Sequence, residues 1–299
     1  MLYAIIVSME EHHKPVLLSE VMLELSPQKG ENYLDLTAGF AGHASSILDV
    51  TQNYKDSTLV DRDQYAIDYL TEKFANFPIE ILHTDFYSAA LQLYECGKTY
   101  DLILADFGVS SPQLDLGSRG FSFMHEGPLD MRMDVRQELS ADTIINHWSE
   151  NSLIEIFEKY GEMSPGFAQK VARIIRLNRP FESTTQLADA IANETRNSRI
   201  HPATKVFQAV RIVVNDELSI IENTLPLLPK LLKPGGRLAI ITFHSLEDRL
   251  VKDFFKDASS RGEESELKII TKKPITAEKV ELVNNPRARS AKLRVARGC

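Results

Sequence analysis

DLILADFGVSSPQLDLGSRGFSFMHEGPLDMR, residues 101–132, decides how the rest of the chain is read. Leu102, Ile103, Leu104 and Ala105 form a short apolar run, which predicts a strand covered on both faces. Polarity and glycine then arrive together in Asp106, Phe107, Gly108, Ser110, Ser111 and Pro112. In an open α/β sheet, ligands bind where the chain leaves the carboxyl ends of strands. Asp106 is therefore expected at the mouth of a site with Phe107 beside it. A capped strand end is the plainer alternative for Asp106 alone. A Gly/Ser/Pro/Asp run of this length favours a binding loop.

Upstream, three β–α units lead into this stretch. Residues 32–43, NYLDLTAGFAGH, read as strand, glycine turn and helix start, with the helix continuing from Ala44 to Val50. Gly39 and Gly42 let backbone approach a ligand, and the helix start offers free N–H groups. The turn lacks the full G-x-G-x-x-G of dinucleotide sites, so alone it points only to a nucleotide-like ligand. A second strand, Ser57 to Asp63, ends in Asp61, where an acidic residue holds ribose hydroxyls in such folds. Asp61 and Asp63 also suit a cap for the helix Gln64 to Phe74. A third strand, Ile79 to Phe86, ends in Asp85 and Phe86, and a helix follows from Ser88 to Glu95.

Downstream, Gly235 to His244 reads as strand five, preceded by a helix from about Asp216 to Leu232. Strands six and seven are expected at Leu267 to Thr271 and Ser290 to Ala296. The distance between strands four and five far exceeds what a crossover needs. An inserted helical domain is expected, with helices at Ala141 to His147, Ser152 to Tyr160, Pro165 to Leu177 and Thr185 to Glu194. The domains expected are 9–113 for the first part of an α/β core, 114–211 for the insert, and 212–299 for the second part with a basic tail.

The 299 residues are 43% hydrophobic and 25% charged, an ordinary globular composition with a formal net charge of -8. That charge argues against non-specific nucleic-acid binding but permits local basic patches. Lys170, Arg173, Arg176 and Arg179 step along one face of the helix opened by Pro165, with Phe167, Val171, Ile174 and Ile175 on the other. Arg287, Arg289, Lys292, Arg294 and Arg297 follow in a tail free of acid. A solvated face is the plain reading, and phosphate contact is the functional one. Two cysteines, Cys96 and Cys299, exclude a disulfide framework and fit a reducing cytoplasm. The histidines and cysteines are scattered, so no metal site is expected. The apolar run Leu2 to Val7 is neither a signal peptide nor a membrane span, and Met9 offers a second start.

Taken together, the motifs resemble the bacterial ribosomal RNA small-subunit (cytosine-N4)-methyltransferase family, the MraW methylases, from about His13 onward. The matching runs are HKPVLL (13–18), AGH (41–43), DRD (61–63), GVSSPQLD (108–115) and RGFSFMHEGPLDMRMD (119–134). HPATKVFQAVRIVVNDEL (201–218), PGGRLAIITFHSLEDR (234–249) and NPRARSAKLRVA (285–296) complete them. The resemblance implies a class I Rossmann-like methyltransferase: a mostly parallel seven-stranded sheet, helices on both faces, and an inserted all-helical domain between strands four and five. It implies S-adenosylmethionine as cofactor, held by Ala41, Gly42, His43, Asp61, Phe86, Asp106 and Gln113. It implies as substrate the N4 of a cytidine in the decoding centre (P site) of 16S ribosomal RNA, within the small subunit. Lys170, Arg173, Arg176, Arg287, Arg289, Lys292 and Arg294 then become the candidate RNA contacts. The expected setting is the cytoplasm, without a membrane, and a homodimer stays open. Leu36 and Ala41 stand where the family carries glycine; a positive φ at Ala41 would strain the turn.

Cytosine's amine is a poor nucleophile because its lone pair is delocalised into the ring. An enzyme must extrude the base, align N4 with the methyl and accept a hydrogen bond from the amine. Asp106 is the candidate acceptor and Phe107 the candidate platform, with Ser110, Ser111, His244 and Ser245 as secondary candidates. Three other classes compete: a DNA amino-methyltransferase, a nicotinamide-dependent oxidoreductase sharing the glycine turn and Asp61, and a non-catalytic ribosome assembly factor.

Overall fold

The computed structural model describes residues 15–195, 201–260, 262 and 265–299. Met1, Met9, His13 and Lys14 lie outside that range. Two compact units divide the chain: Met1–Gly108 with Leu218–Cys299, and Val109–Glu217.

The first unit opens with α1 (Leu18–Leu25), β1 (Tyr33–Asp35), α2 (Gly42–Thr51), β2 (Thr58–Asp61), α3 (Gln64–Lys73), β3 (Glu80–His83), α4 (Phe86–Glu95) and β4 (Tyr100–Asp106). The second unit carries α5 (Ser111–Asp115), a π-helical turn at Thr143–His147, α6 (Glu150–Lys159), α7 (Pro165–Asn178), α8 (Thr184–Glu194) and α9 (Ala203–Asn215). The chain returns through α10 (Glu217–Thr224), α11 (Leu228–Leu231), β5 (Leu232–Thr242), α12 (Ser245–Ala258), β6 (Leu267–Ile269), α13 (Lys279–Asn284) and β7 (Lys292–Gly298).

The strands form one sheet in the order β3-β2-β1-β4-β5-β7-β6. β1 to β5 pair in parallel, and β7 runs antiparallel between β5 and β6. Strand order reverses at β1 and β4, which makes their carboxyl ends the crevice of a doubly wound sheet. Period-two alternation places helices on both faces. Leu102, Leu104, Ala239 and Ile241 pack with α1, α2 and α3 through Val21, Ile47 and Leu70. Their neighbours Ile103, Ala105, Leu238 and Ile240 pack with α4, α11 and α12 through Leu93, Leu231 and Phe255.

In the second unit the described elements are all helical or irregular, and they bury a core of their own. Leu153, Phe157, Val171, Ile175, Leu187 and Val210 are each 0% exposed. Val109 packs against that core and Val214 lies within it, which carries this unit beyond the 114–211 expected, to Val109–Glu217. α9 had no counterpart in the expected helix set, although its buried residues recur at 206, 207, 210 and 214. The expected helix from Ala141 to His147 is present, α-helical at Ala141 and Asp142 and π-helical from Thr143 to His147; the first N–H groups, of Ala141 and Asp142, donate to the carbonyls of Asp130 and Leu129. No helix of the described residues is long and apolar enough to cross a membrane.

Candidate active site at the carboxyl edge of the sheet

β1 ends on Asp35, which is 1% exposed. The Tyr33 hydroxyl donates to its Oδ2 at 2.6 Å, and the Thr37 N–H donates to Oδ1 at 3.1 Å. Burial lifts the Asp35 pKa to about 6; hydrogen bonds from Tyr33 and from the backbone and side chain of Thr37 offset part of that rise, and the charge of Asp61 adds to it. Burial likewise pushes the Tyr33 phenol well above its usual range, with the charges of Asp35 and Asp106 contributing.

The turn after β1 is held by β2. The Gly39 N–H donates to Asp61 Oδ2 and the Asp63 N–H to Asp61 Oδ1, each at 2.8 Å. Arg62 supplies a third backbone hydrogen bond. Desolvation still raises the Asp61 pKa to about 6. A carboxylate has roughly four lone-pair sites, so Asp61 retains room for one further hydrogen bond rather than a full pair. Asp63 takes the capping role, accepting from the Tyr65 N–H at the start of α3.

Ala41 precedes α2 with φ +60. That is the left-handed region, which costs an L-residue about 1–2 kcal/mol, and it is where the family places glycine. Gly42 is a glycine for another reason. A Cβ there would stand 2.5 Å from the Pro15 ring. That close approach brings the Val16 carbonyl oxygen to 3.0 Å from His43 Nε2. His43 is 7% exposed, and its Nδ1 lies 3.8 Å from Asp106 Oδ2.

Asp106 ends β4. Its N–H donates to Thr37 Oγ1 at 2.6 Å, which ties the ends of β1 and β4 together. Its Oδ1 is buried with no hydrogen-bond partner. Burial, reinforced by the charges of Asp35 and Glu247, holds its pKa well above the usual carboxylate range. Phe107 is 2% exposed and packs against Phe86 with ring centroids 5.2 Å apart. It therefore offers no open face for a base; Phe86, half-buried at the start of α4, is the more accessible ring. Asp85 caps α4, accepting from the N–H groups of Tyr87 and Ser88. His244 caps α12, buried Glu247 accepts from the N–H groups of Phe243 and His244, and His244 Nε2 lies 3.2 Å from Glu247 Oε1.

The structure thus gathers Ala41, Gly42, His43, Asp61 and Asp106 along the ends of three neighbouring strands, with Phe86 at the end of β3. Tyr33, Asp35 and Thr37 belong to the same cluster and had not been singled out. Their signal was an acid closing an otherwise apolar strand. In the second unit, Gln113 is 6% exposed and its Oε1 accepts from the Ser110 N–H at 3.0 Å, which closes the first turn of α5.

The basic candidates separate. Lys170 and Arg173 are exposed on α7; Arg176, also exposed, pairs with Glu150. Arg287 and Arg289 are exposed. Arg294 is 7% exposed and donates to Asp248 at 2.7 Å, and Lys292 donates to the same carboxylate at 2.9 Å. A surface phosphate patch is therefore the wrong reading for Arg294, whose guanidinium neutralises a partly buried acid beside the sheet.

Comparison with known proteins follows the same lines. The model of the MraW methylase family matches residues 10–299. A protein of Trichormus variabilis named "Ribosomal RNA small subunit methyltransferase H" is 48% identical over 289 residues, covering 95% of this chain and 91% of that one. Proteins of the same name from Synechocystis sp. (45% identity, 95% and 93% covered) and Acidobacterium capsulatum (42%, 96% and 98%) are also similar.

Proposed function

The chain belongs to the MraW methylase family and is an S-adenosylmethionine-dependent methyltransferase; from that premise we propose that it methylates 16S ribosomal RNA of the small subunit, at the N4 of a cytidine in the decoding centre. The observation that carries this reading is 48% identity, across 95% of the chain, to a relative named for methylation of small-subunit ribosomal RNA. The cytoplasm, where such subunits are assembled, is its place of work.

The residues at the sheet edge fit the cofactor. Asp106 Oδ1 is a buried acceptor with no partner, and Asp35, Asp61 and Asp106 make an anionic wall suited to a cationic ligand. Asp61 has acceptor capacity for one ribose hydroxyl. The turn from Gly39 to His43 would present its backbone to the ligand, and half-buried Phe86 would lie against the purine. When bound, S-adenosylmethionine supplies an electrophilic methyl on a sulfonium.

Asp106 is the acceptor for the substrate amine. A carboxylate oxygen receiving an N–H of the N4 amine draws its lone pair out of conjugation and orients it. Thr37 positions Asp106 through its backbone N–H. Phe107 supports that strand end from within the core and does not touch the base. Lys170 and Arg173, with Arg287 and Arg289 at the surface, would neutralise RNA phosphates.

The experiment is transfer of labelled methyl from S-adenosylmethionine to small subunits from cells lacking this protein, followed by nucleoside analysis. N4-methylated cytidine in 16S RNA is the expected product. Label in duplex DNA and none in subunits would establish the DNA alternative instead.

A further inference from the structure

Asp106 and His43 stand side by side at the ends of β4 and the β1 turn, with His43 Nδ1 3.8 Å from Asp106 Oδ2. The Val16 carbonyl at His43 Nε2 only accepts, so Nε2 carries hydrogen. When the ring is neutral its lone pair therefore sits on Nδ1, facing Asp106 Oδ2 at 3.8 Å. On the other side of the carboxyl, Asp106 Oδ1 is buried with no hydrogen-bond partner, so the carboxyl itself has room to hold a proton. Tyr33 and Asp35 on β1 and Glu247 on α12 lie near enough to Asp106 to interact with it electrostatically. Asp35 and Glu247 act on Asp106 directly, and both disfavour its charge. Among the described residues no Lys or Arg forms an ion pair with Asp106.

We propose that the Asp106–His43 pair stores a proton in the free enzyme and releases it to solvent when the cationic methyl donor binds, so that the site distinguishes the sulfonium donor from its neutral thioether product. This rests on the cofactor reading given above. A positive sulfonium near the wall supplies the counter-charge that the protein withholds, which favours ionised Asp106. Loss of the methyl removes that charge, and the pair takes up a proton again. Burial acts on Asp106 in the same direction, towards the protonated acid at neutral pH.

By linkage, a group that releases its proton on binding makes affinity rise with pH until the free enzyme has itself lost that proton. The test is isothermal titration calorimetry of the full-length protein between pH 5.5 and 8.5, in buffers of different ionisation enthalpy. The probes are S-adenosylmethionine, its amine analogue sinefungin, and S-adenosylhomocysteine. Expected is release approaching one proton for the two cationic ligands and distinctly less for the neutral thioether. Below the pair's titration, affinity for the cations should fall by about tenfold per pH unit. Asp106→Asn should abolish the difference between ligands, and His43→Gln should reduce it; a thermal melt of each variant checks folding. Equal proton counts for all three ligands in the wild-type protein would overturn the inference while leaving the cofactor site intact. No binding of S-adenosylmethionine at any pH would overturn the cofactor reading itself.

Discussion

Asp106 and Asp248 stand in the same unit, are both shielded from water, and live in opposite electrostatic worlds. Asp248 receives Arg294 at 2.7 Å and Lys292 at 2.9 Å. Burial raises its pKa, but those two cations outweigh burial and hold it below the usual carboxylate value. Asp106 receives no such cation and has acids for neighbours, so its pKa moves the other way. One carboxylate is satisfied by two cations and the other is left beside more acids, the contrast on which the proposed cofactor role of Asp106 rests. The contrast also explains why a run of basic residues in the tail is a poor guide to RNA contact: Arg294 and Lys292 are already engaged.

The largest effect should come from undoing the satisfied side. Asp248→Ala leaves the buried Arg294 guanidinium without its partner, and is expected to cost about 3 kcal/mol in urea unfolding. A cost below about 1 kcal/mol would mean that the pair contributes little. Because the Asp248 pKa is lowered by folding, its contribution is present above the unfolded value of about 4 and is lost as pH falls through the folded one. On the unsatisfied side, Asp106→Asn should slow single-turnover methyl transfer at saturating cofactor by about 10²-fold, the scale of one transition-state hydrogen bond. Recovery of that rate at saturating cofactor would assign Asp106 to binding alone. Here the sign of the stability effect inverts. A carboxyl whose pKa is raised by folding loses stability as pH climbs from the unfolded value towards the folded one. The free Asp106→Asn protein should therefore melt higher than wild type at pH 8 and no higher at pH 4.

Smaller effects sharpen the same comparison. Arg173→Glu, on an exposed face without a structural partner to lose, should weaken subunit binding by about tenfold and lower its salt slope by about one. Cofactor affinity should not change. An unaltered salt slope would return Arg173 to an ordinary solvated face. Smallest is Ala41→Gly. Relief of left-handed strain, about 1–2 kcal/mol, is set against lost methyl burial and a freer unfolded chain. Urea unfolding should show a change within about 0.5 kcal/mol, where the same substitution inside a regular helix costs about 1.

Much of this architecture was legible in residue order because apolar runs of strand length alternate with helical periodicity and end in acids. Asp61 and Asp106 could be placed from their positions at strand ends alone. Three things were not legible. The positive φ of Ala41 has no local mark, since alanine usually avoids it and the buried turn imposes it. Phe107 looked like a platform because it follows Asp106, yet period-two alternation at the strand end turns it into the core. The partners of Arg294 and Lys292 lie on α12, more than forty residues away in the chain, and no spacing rule reaches that far. α9 was missed although its buried positions 206, 207, 210 and 214 recur at helical spacing; that stretch carried the family resemblance and was not read for periodicity.

The pairing of β4 with β5 carries a consequence for the chain's birth. β4 ends at Asp106, and the strand that pairs with its far edge, Leu102 to Leu104 against Arg237 to Ala239, is not yet made when β4 leaves the ribosome. Roughly a hundred residues of helical unit must be translated first, a delay of about 5–20 s at ordinary elongation rates. During that interval β4 is the open edge of a half-built sheet, with a row of unpaired backbone groups that any passing strand could match. The helical unit has its own core, so it can fold while the edge waits. A nascent chain halted before residue 232 should therefore be the species most prone to aggregate and most in need of a chaperone.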